Sequence, residues 1–218
     1  MTSNNPQVQI YGPSFSNFVR TLMLLCEEHN IIYSTGFELD EEKIEFKGEK
    51  HFALHPFAKL PVLKHGDFIL PETASIARYL LKTFVKTGND TSIEQEAKID
   101  AFSALASLYI DKAIVRDYIL EFAFPKGEQG EVRLSVAKEA QSQVNEALSV
   151  ISQTLADDNI LNGKQLTIAD MLLAPMLHYL SCLPKEFNLL PQHPKVEQYL
   201  TSLMARASCQ KVLVAMDK

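Results

Sequence analysis

Glu72 and Thr73 are the residues whose types and place first suggest chemistry. They stand between an apolar run ending at Pro71 and a helical period set by Ile76, Tyr79, Leu80 and Phe84. A helix N-terminus at that point presents unpaired backbone N–H groups that favour an anion, while the Glu72 carboxylate favours a cation. Both together suit a zwitterion, such as the amino and carboxylate ends of an amino acid. A plainer reading stands beside it, with Thr73 as the helix N-cap and Glu72 complementing the helix dipole. The cysteines offer less. Cys26, Cys182 and Cys209 are odd in number and widely spaced, without a Cys-x-x-Cys pair or metal-ligand spacing. They read as buried or incidental thiols of a reducing, cytoplasmic protein, and no metal is expected.

The elements that must carry this pair alternate at first. Pro6 to Tyr11 reads as a short strand ended by Gly12-Pro13. Phe18 to Cys26 follow at helical spacing, with Leu24 breaking a clean amphipathic face, so this helix is expected to be buried on most sides. Ile32 to Leu39 reads as a second strand, reached by a right-handed crossover. The charged stretch from Asp40 to Lys50 is expected to be a surface loop with a short, irregular helix. His65-Gly66-Asp67 between two apolar runs signals a hairpin, and the helix from Thr73 completes the order βαβαββα. Beyond a polar linker at 85–92 the pattern is helical only: Ile93 to Phe124, Glu131 to Ala156, a helix opening at Thr167-Ile168-Ala169-Asp170, one from His193-Pro194, and a short last one from about Cys209 to Val214. Thr167 and Asp170 form a capping box with Asp in place of Glu or Gln.

Composition removes several function classes. The chain has 218 residues, 46% hydrophobic and 22% charged, as in an ordinary globular protein. A net charge of -6 argues against nucleic-acid binding. No apolar stretch is long enough to span a bilayer, and the polar start is no signal peptide, so no membrane association is expected.

Four motifs in order resemble the soluble glutathione transferases. Pro56-Phe57-Ala58-Lys59-Leu60-Pro61-Val62-Leu63 is similar to that family's Asn-Pro-Phe-Gly-Lys-Val-Pro-Val-Leu segment. Glu72-Thr73-Ala74-Ser75-Ile76-Ala77-Arg78-Tyr79-Leu80 is similar to its Glu-Ser-x-Ala-Ile-x-x-Tyr-Leu helix start. Leu166 to Asp170 and His193-Pro194 match signatures of its helical part. The departures are His55 for Asn, Ala58 for Gly and Thr73 for Ser. The resemblance implies an α+β thioredoxin-like domain at 1–84 and an all-α helical bundle at 93–218. It also implies a cytoplasmic homodimer that conjugates glutathione, as co-substrate, to small hydrophobic electrophiles in detoxification. A non-enzymatic binding or scaffold protein of the same fold is the alternative, as is a glutathione-dependent isomerase or peroxidase.

By the same resemblance, Glu72 takes the γ-glutamyl ammonium and Thr73 the γ-glutamyl carboxylate. Leu60 pairs its backbone with the cysteinyl residue through a cis Leu60–Pro61 bond, and Lys59 reaches the glycyl carboxylate. The thiol needs a hydroxyl donor near the start of the first helix. Ser16, four positions before Arg20, matches the plant-type serine classes; Ser14 is second and Tyr11 third. For the electrophile pocket the resemblance points to Tyr109 and Tyr118, with Phe122, and Asp100 to the ammonium bound by a partner subunit. Helix–helix core is the competing reading for the aromatic three.

Overall fold

The structure is a computed structural model, and it describes residues 6–85, 92–156 and 160–214. The chain divides near residue 90 into two compact units. Most of the expected linker, 86–91, lies outside the described residues.

The N-terminal unit runs β1 (Val8–Tyr11), α1 (Asn17–Glu28), β2 (Tyr33–Gly36), β3 (Glu38–Leu39), β4 (Glu42–Lys43), α2 (Glu49–Leu54), β5 (Val62–His65), β6 (Phe68–Pro71) and α3 (Thr73–Phe84). Its four-stranded sheet has the order β2-β1-β5-β6. β1 pairs parallel with β2 and antiparallel with β5, which in turn pairs antiparallel with β6. A parallel β1–β2 pair needs a crossover element, and α1 supplies it. Val19, Leu22, Leu24, Leu25 and Cys26 of α1 are wholly buried, as a helix without a clean polar face must be. The β5–β6 turn is Gly66-Asp67, with Gly66 at φ +58 in the first turn position.

Two expectations change in the charged stretch. The second strand is not continuous from Ile32 to Leu39; it stops at Gly36, and β3 then pairs with β4 in a hairpin of its own. The turn places Asp40 at φ +49 and Glu41 at φ +65, a conformation that Gly and Asn advertise in a sequence and an Asp-Glu pair does not. Gln9 holds it from outside, accepting the Asp40 N–H at 2.8 Å and donating its amide to Asp40 Oδ1 at 2.8 Å. The short helix expected within Asp40 to Lys50 lies further on, at Glu49–Leu54.

The second unit is helical throughout its described residues. α4 (Ile93–Leu105) continues as a π-helix (Ala106–Ile119) into α5 (Leu120–Ala123), followed by α6 (Leu134–Thr154), α7 (Ile168–Ser181), α8 (Pro194–Met204) and α9 (Ala207–Val212). The π-helical stretch packs on α6 and α7, and its Ile110, Ile114 and Tyr118 are buried. α6 starts at Leu134 rather than Glu131, because the Arg133 N–H and guanidinium are held by the Glu121 carboxylate at 2.6–3.0 Å. α7 opens with the expected capping box. Thr167 Oγ1 accepts the Asp170 N–H at 3.3 Å, and Asp170 Oδ2 accepts the Thr167 N–H at 2.8 Å.

Candidate functional site

Strand register brings the motif residues to one edge of the sheet. Tyr11 of β1 stands opposite Val62 of β5, and Val62 stands opposite Pro71 of β6. The next residues along these strands are Gly12, Pro61 and Glu72, so the β1–α1 loop, the Leu60–Pro61 step and the start of α3 meet there. Gly12 is the tight point. At φ +144, a Cβ on it would lie 2.6 Å from Val19 Cγ2 and 3.5 Å from Leu60 Cβ. Glycine is what lets the loop take this φ and turn this close to Val19, while Leu60 lies at ordinary contact distance.

Glu72, not Thr73, occupies the N-cap position of α3, and Thr73 is the first helical residue. The Glu72 carbonyl accepts the Ile76 N–H at 2.9 Å. The Glu72 side chain makes no capping hydrogen bond, and Thr73 is not the N-cap that the plainer reading expected. Glu72 adopts φ +74, ψ 111, a conformation that costs a non-glycine residue about 1–3 kcal/mol and points to a functional constraint. Its side chain is 74% exposed, with Oε1 at 3.5 Å from His55 Nε2. Thr73 is buried at the helix start.

Leu60–Pro61 is cis, as expected. Neither the N–H nor the C=O of Leu60 enters a turn or loop hydrogen bond among the described residues. Lys59 is exposed, and its carbonyl accepts from His51 Nε2 at 3.1 Å. The other ring nitrogen, Nδ1, accepts the Lys47 N–H at 3.1 Å, which fixes the hydrogen of the neutral ring on Nε2. One fully buried imidazole therefore ties the backbones of two exposed lysines. Lys47, at φ +64 with its ammonium 5.4 Å from the centre of the Phe46 ring, is the cation that reading the sequence missed. The link runs through a buried histidine, and no local pattern announces it.

The three hydroxyls near α1 separate clearly. Tyr11 is wholly buried, edge-on to Phe37 and His51, and its OH donates to the Ile44 carbonyl at 3.2 Å. Burial pushes its pKa up. Ser14 is exposed, and its carbonyl accepts from Arg20 Nε at 3.1 Å, which pins the loop. Ser16 is the half-buried N-cap of α1; its carbonyl accepts the Arg20 N–H at 2.9 Å, but its hydroxyl makes no capping bond. An N-cap serine normally uses that oxygen on the helix. Here the hydroxyl stands at the positive end of a twelve-residue helix without that task. Cys26 is no alternative, since burial and neighbouring Glu27 push its thiol up to about 12.

In the second unit the aromatic candidates part: Tyr118 follows the helix–helix core reading and not the electrophile-pocket one. Tyr118 is fully buried, donates its OH to the Phe187 carbonyl at 2.8 Å, and packs edge-on to Phe122 at 5.6 Å. It is core, because Phe122, the Phe187 carbonyl and Gln141 of α6 take up its ring and OH, and it has no surface left for a ligand. Tyr109 lies on a different face, 66% exposed. Asp100 is exposed on α4. A cavity of about 420 Å³ between the π-helix, α5 and α6 is lined by Arg116, Glu121, Lys126, Arg133 and Glu139. Its Glu121–Arg133 pair is already joined, and it is a charged recess rather than an apolar bed.

Comparison with known proteins decides the family. Residues 15–83 match the model of the glutathione S-transferase N-terminal domain, and residues 113–207 match that of the C-terminal domain. The chain belongs to the glutathione S-transferase family. Glutathione S-transferase 1 of Triticum aestivum is 29% identical over 221 residues, covering 94% of this chain and 93% of its own. Among solved structures, poplar glutathione transferase F1 aligns with a TM-score of 0.79 at 23% identity, over 96% of this transferase chain and 97% of its own. The theta-class glutathione S-transferase of Xanthomonas axonopodis pv. citri, solved with glutathione bound, aligns with a TM-score of 0.80 at 20% identity, over 97% and 99%. The shared architecture is a mixed-sheet unit followed by an all-helical one.

Proposed function

We propose that this glutathione S-transferase binds glutathione along the edge formed by Gly12, Leu60–Pro61 and Glu72, and transfers its thiolate to a small electrophile. Glu72 receives the γ-glutamyl ammonium. Thr73, with the N–H groups at the α3 N-terminus, receives the γ-glutamyl carboxylate. The Leu60 backbone pairs with the cysteinyl backbone as a short piece of added strand. Lys59 and Lys47 face the glycyl carboxylate. Ser16 donates to the sulfur.

The required energy is modest. A thiol of pKa roughly 8.5 is only about 3% ionised at pH 7. Bringing it to half ionisation needs about 1.5 units, or about 2 kcal/mol. A hydrogen bond to a charged acceptor contributes roughly 1.5–3 kcal/mol, so one hydroxyl suffices, helped by the α1 dipole. The thiolate then attacks the electrophilic carbon and the leaving group departs; no protein base is needed. We take the functional domains as 1–84 and 93–218, and the working protein as a cytoplasmic homodimer.

The observation that supports this reading most is the Ser16 hydroxyl, left without a capping bond at the edge where strained Glu72 stands. Retention on immobilised glutathione, paired with conjugation of 1-chloro-2,4-dinitrobenzene, tests it. Glu72→Ala is expected to lose retention, while Ser16→Ala is retained but turns over poorly. Normal turnover by Ser16→Ala with loss in Ser14→Ala would move the role to Ser14. Failure of the wild type to bind glutathione would refute the reading.

A further inference from the structure

His55 is a buried histidine whose two ring nitrogens face different tasks. Its backbone is fixed at both ends, with its N–H donated to the His51 carbonyl at 2.9 Å and its carbonyl accepting the Ala58 N–H at 2.8 Å. The ring is 4% exposed and packs edge-on to Phe57 at 6.3 Å. Nδ1 accepts the Phe57 N–H at 3.0 Å, two residues on. That bond occupies the Nδ1 lone pair, so the neutral ring carries its hydrogen on Nε2. Nε2 is the atom that faces Glu72 Oε1, at 3.5 Å. At this length the contact is electrostatic rather than a strong hydrogen bond. It is nonetheless the polar side-chain contact of the Glu72 carboxylate among the described residues.

The two partners are unlike in freedom. Glu72 is a long side chain, 74% exposed, on a strained backbone, and ordering such a chain has an entropic cost that binding must overcome. His55 is held by backbone bonds, packing and its own turn. A rigid donor beside an exposed, many-rotamer carboxylate restricts where that carboxylate goes before the ligand arrives. We propose that His55 is a positioning residue for glutathione: Nδ1 builds the turn at Phe57, and Nε2–H holds the Glu72 carboxylate toward the γ-glutamyl ammonium. This rests on the role given to Glu72 above.

The two tasks can be separated by substitution. In His55→Asn the amide oxygen accepts the N–H two residues on, as asparagine does in a side-chain turn, but the shorter side chain cannot reach Glu72. In His55→Gln the terminal amide reaches the Nε2 position, but the turn acceptor is lost. Calorimetric titration with glutathione and thermal melting are to be run on wild type, both variants, Glu72→Gln, and the His55→Asn/Glu72→Gln double variant.

His55→Asn is expected to keep its melting temperature and bind glutathione about threefold to tenfold more weakly. His55→Gln is expected to melt lower and bind close to wild type. Glu72→Gln is expected to bind at least about tenfold more weakly, and adding His55→Asn to it should weaken binding no further. A merely structural histidine would make affinity follow melting temperature across the two variants, which overturns the proposal. So does an equal loss from His55→Asn in both Glu72 backgrounds. If Glu72→Gln alone binds like wild type, the role of Glu72 itself is wrong; weak binding by Glu72→Gln with unchanged binding by His55→Asn rejects only the positioning role.

Discussion

Replacing Asp170 by alanine tests how the helical unit is held. Asp170 is fully buried and accepts the Thr167 N–H at 2.8 Å, the Gly163 N–H at 3.2 Å and the Tyr199 OH at 2.6 Å. Burial pushes its pKa up, and these donors pull it back down. A fourth donor, the Thr167 hydroxyl at 3.0 Å, can turn to the Ile160 carbonyl at 2.9 Å, so removing the carboxylate leaves the other three facing a void, at about 1–3 kcal/mol for each buried group left unsatisfied. Relief of the carboxylate's own desolvation offsets part of this, so the net loss is expected to be about 3–4 kcal/mol. For a chain of this length that corresponds to a fall in Tm of roughly 10 °C. Tyr199→Phe removes one donor and leaves the others paired, so it should cost about 1–2 kcal/mol. Urea unfolding followed by far-ultraviolet circular dichroism measures both, and the double variant measures their coupling, expected to be at least about 1 kcal/mol. A loss below about 1 kcal/mol for Asp170→Ala, or full additivity with Tyr199→Phe, would refute the network as a shared anchor.

Three further outcomes follow from the same structure. Arg133 and its backbone N–H hold the Glu121 carboxyl at about 2, below the ordinary carboxylate range. The native state therefore binds fewer protons there than the unfolded chain, and the associated stability is full above about pH 4.5 and lost as pH falls toward about 2. The stability gap between wild type and Glu121→Gln should close over that acid window, measured by unfolding at successive pH values. Tyr11→Phe should leave conjugation within about twofold of wild type, since the Tyr11 OH is committed to the Ile44 carbonyl; a large fall in kcat would contradict that. Cys182 is exposed while Cys26 and Cys209 are buried, so a thiol reagent should label Cys182 first in the native protein and the other two only on unfolding, read by peptide mass spectrometry.

The order βαβαββα, the β5–β6 hairpin and the Thr167–Asp170 box are legible in the sequence because each rests on local chemistry: alternation, a glycine in a two-residue turn, a hydroxyl three residues before a carboxylate. The β3–β4 hairpin is not legible, since its left-handed Asp40-Glu41 turn is stabilised by Gln9, distant in sequence. The Glu72–Thr73 pair shows the same division. Its place at a helix start can be read from the chain, but Glu72 as the strained cap, and His55 behind it, depend on strand register. For Tyr118 the sequence leaves pocket and core readings side by side, and its burial decides for the core. Lys47 went unseen because its link to Lys59 passes through His51.

Everything proposed for the reaction turns on Ser16 stabilising the glutathione thiolate. The pKa of the bound thiol, followed by the ultraviolet absorbance of the thiolate in wild type and Ser16→Ala, tests it most directly. The bound thiol is expected to titrate at roughly 7 in the wild type, and to rise toward roughly 8.5, the ordinary thiol value, in Ser16→Ala with glutathione still bound. An unchanged low value in Ser16→Ala would contradict it.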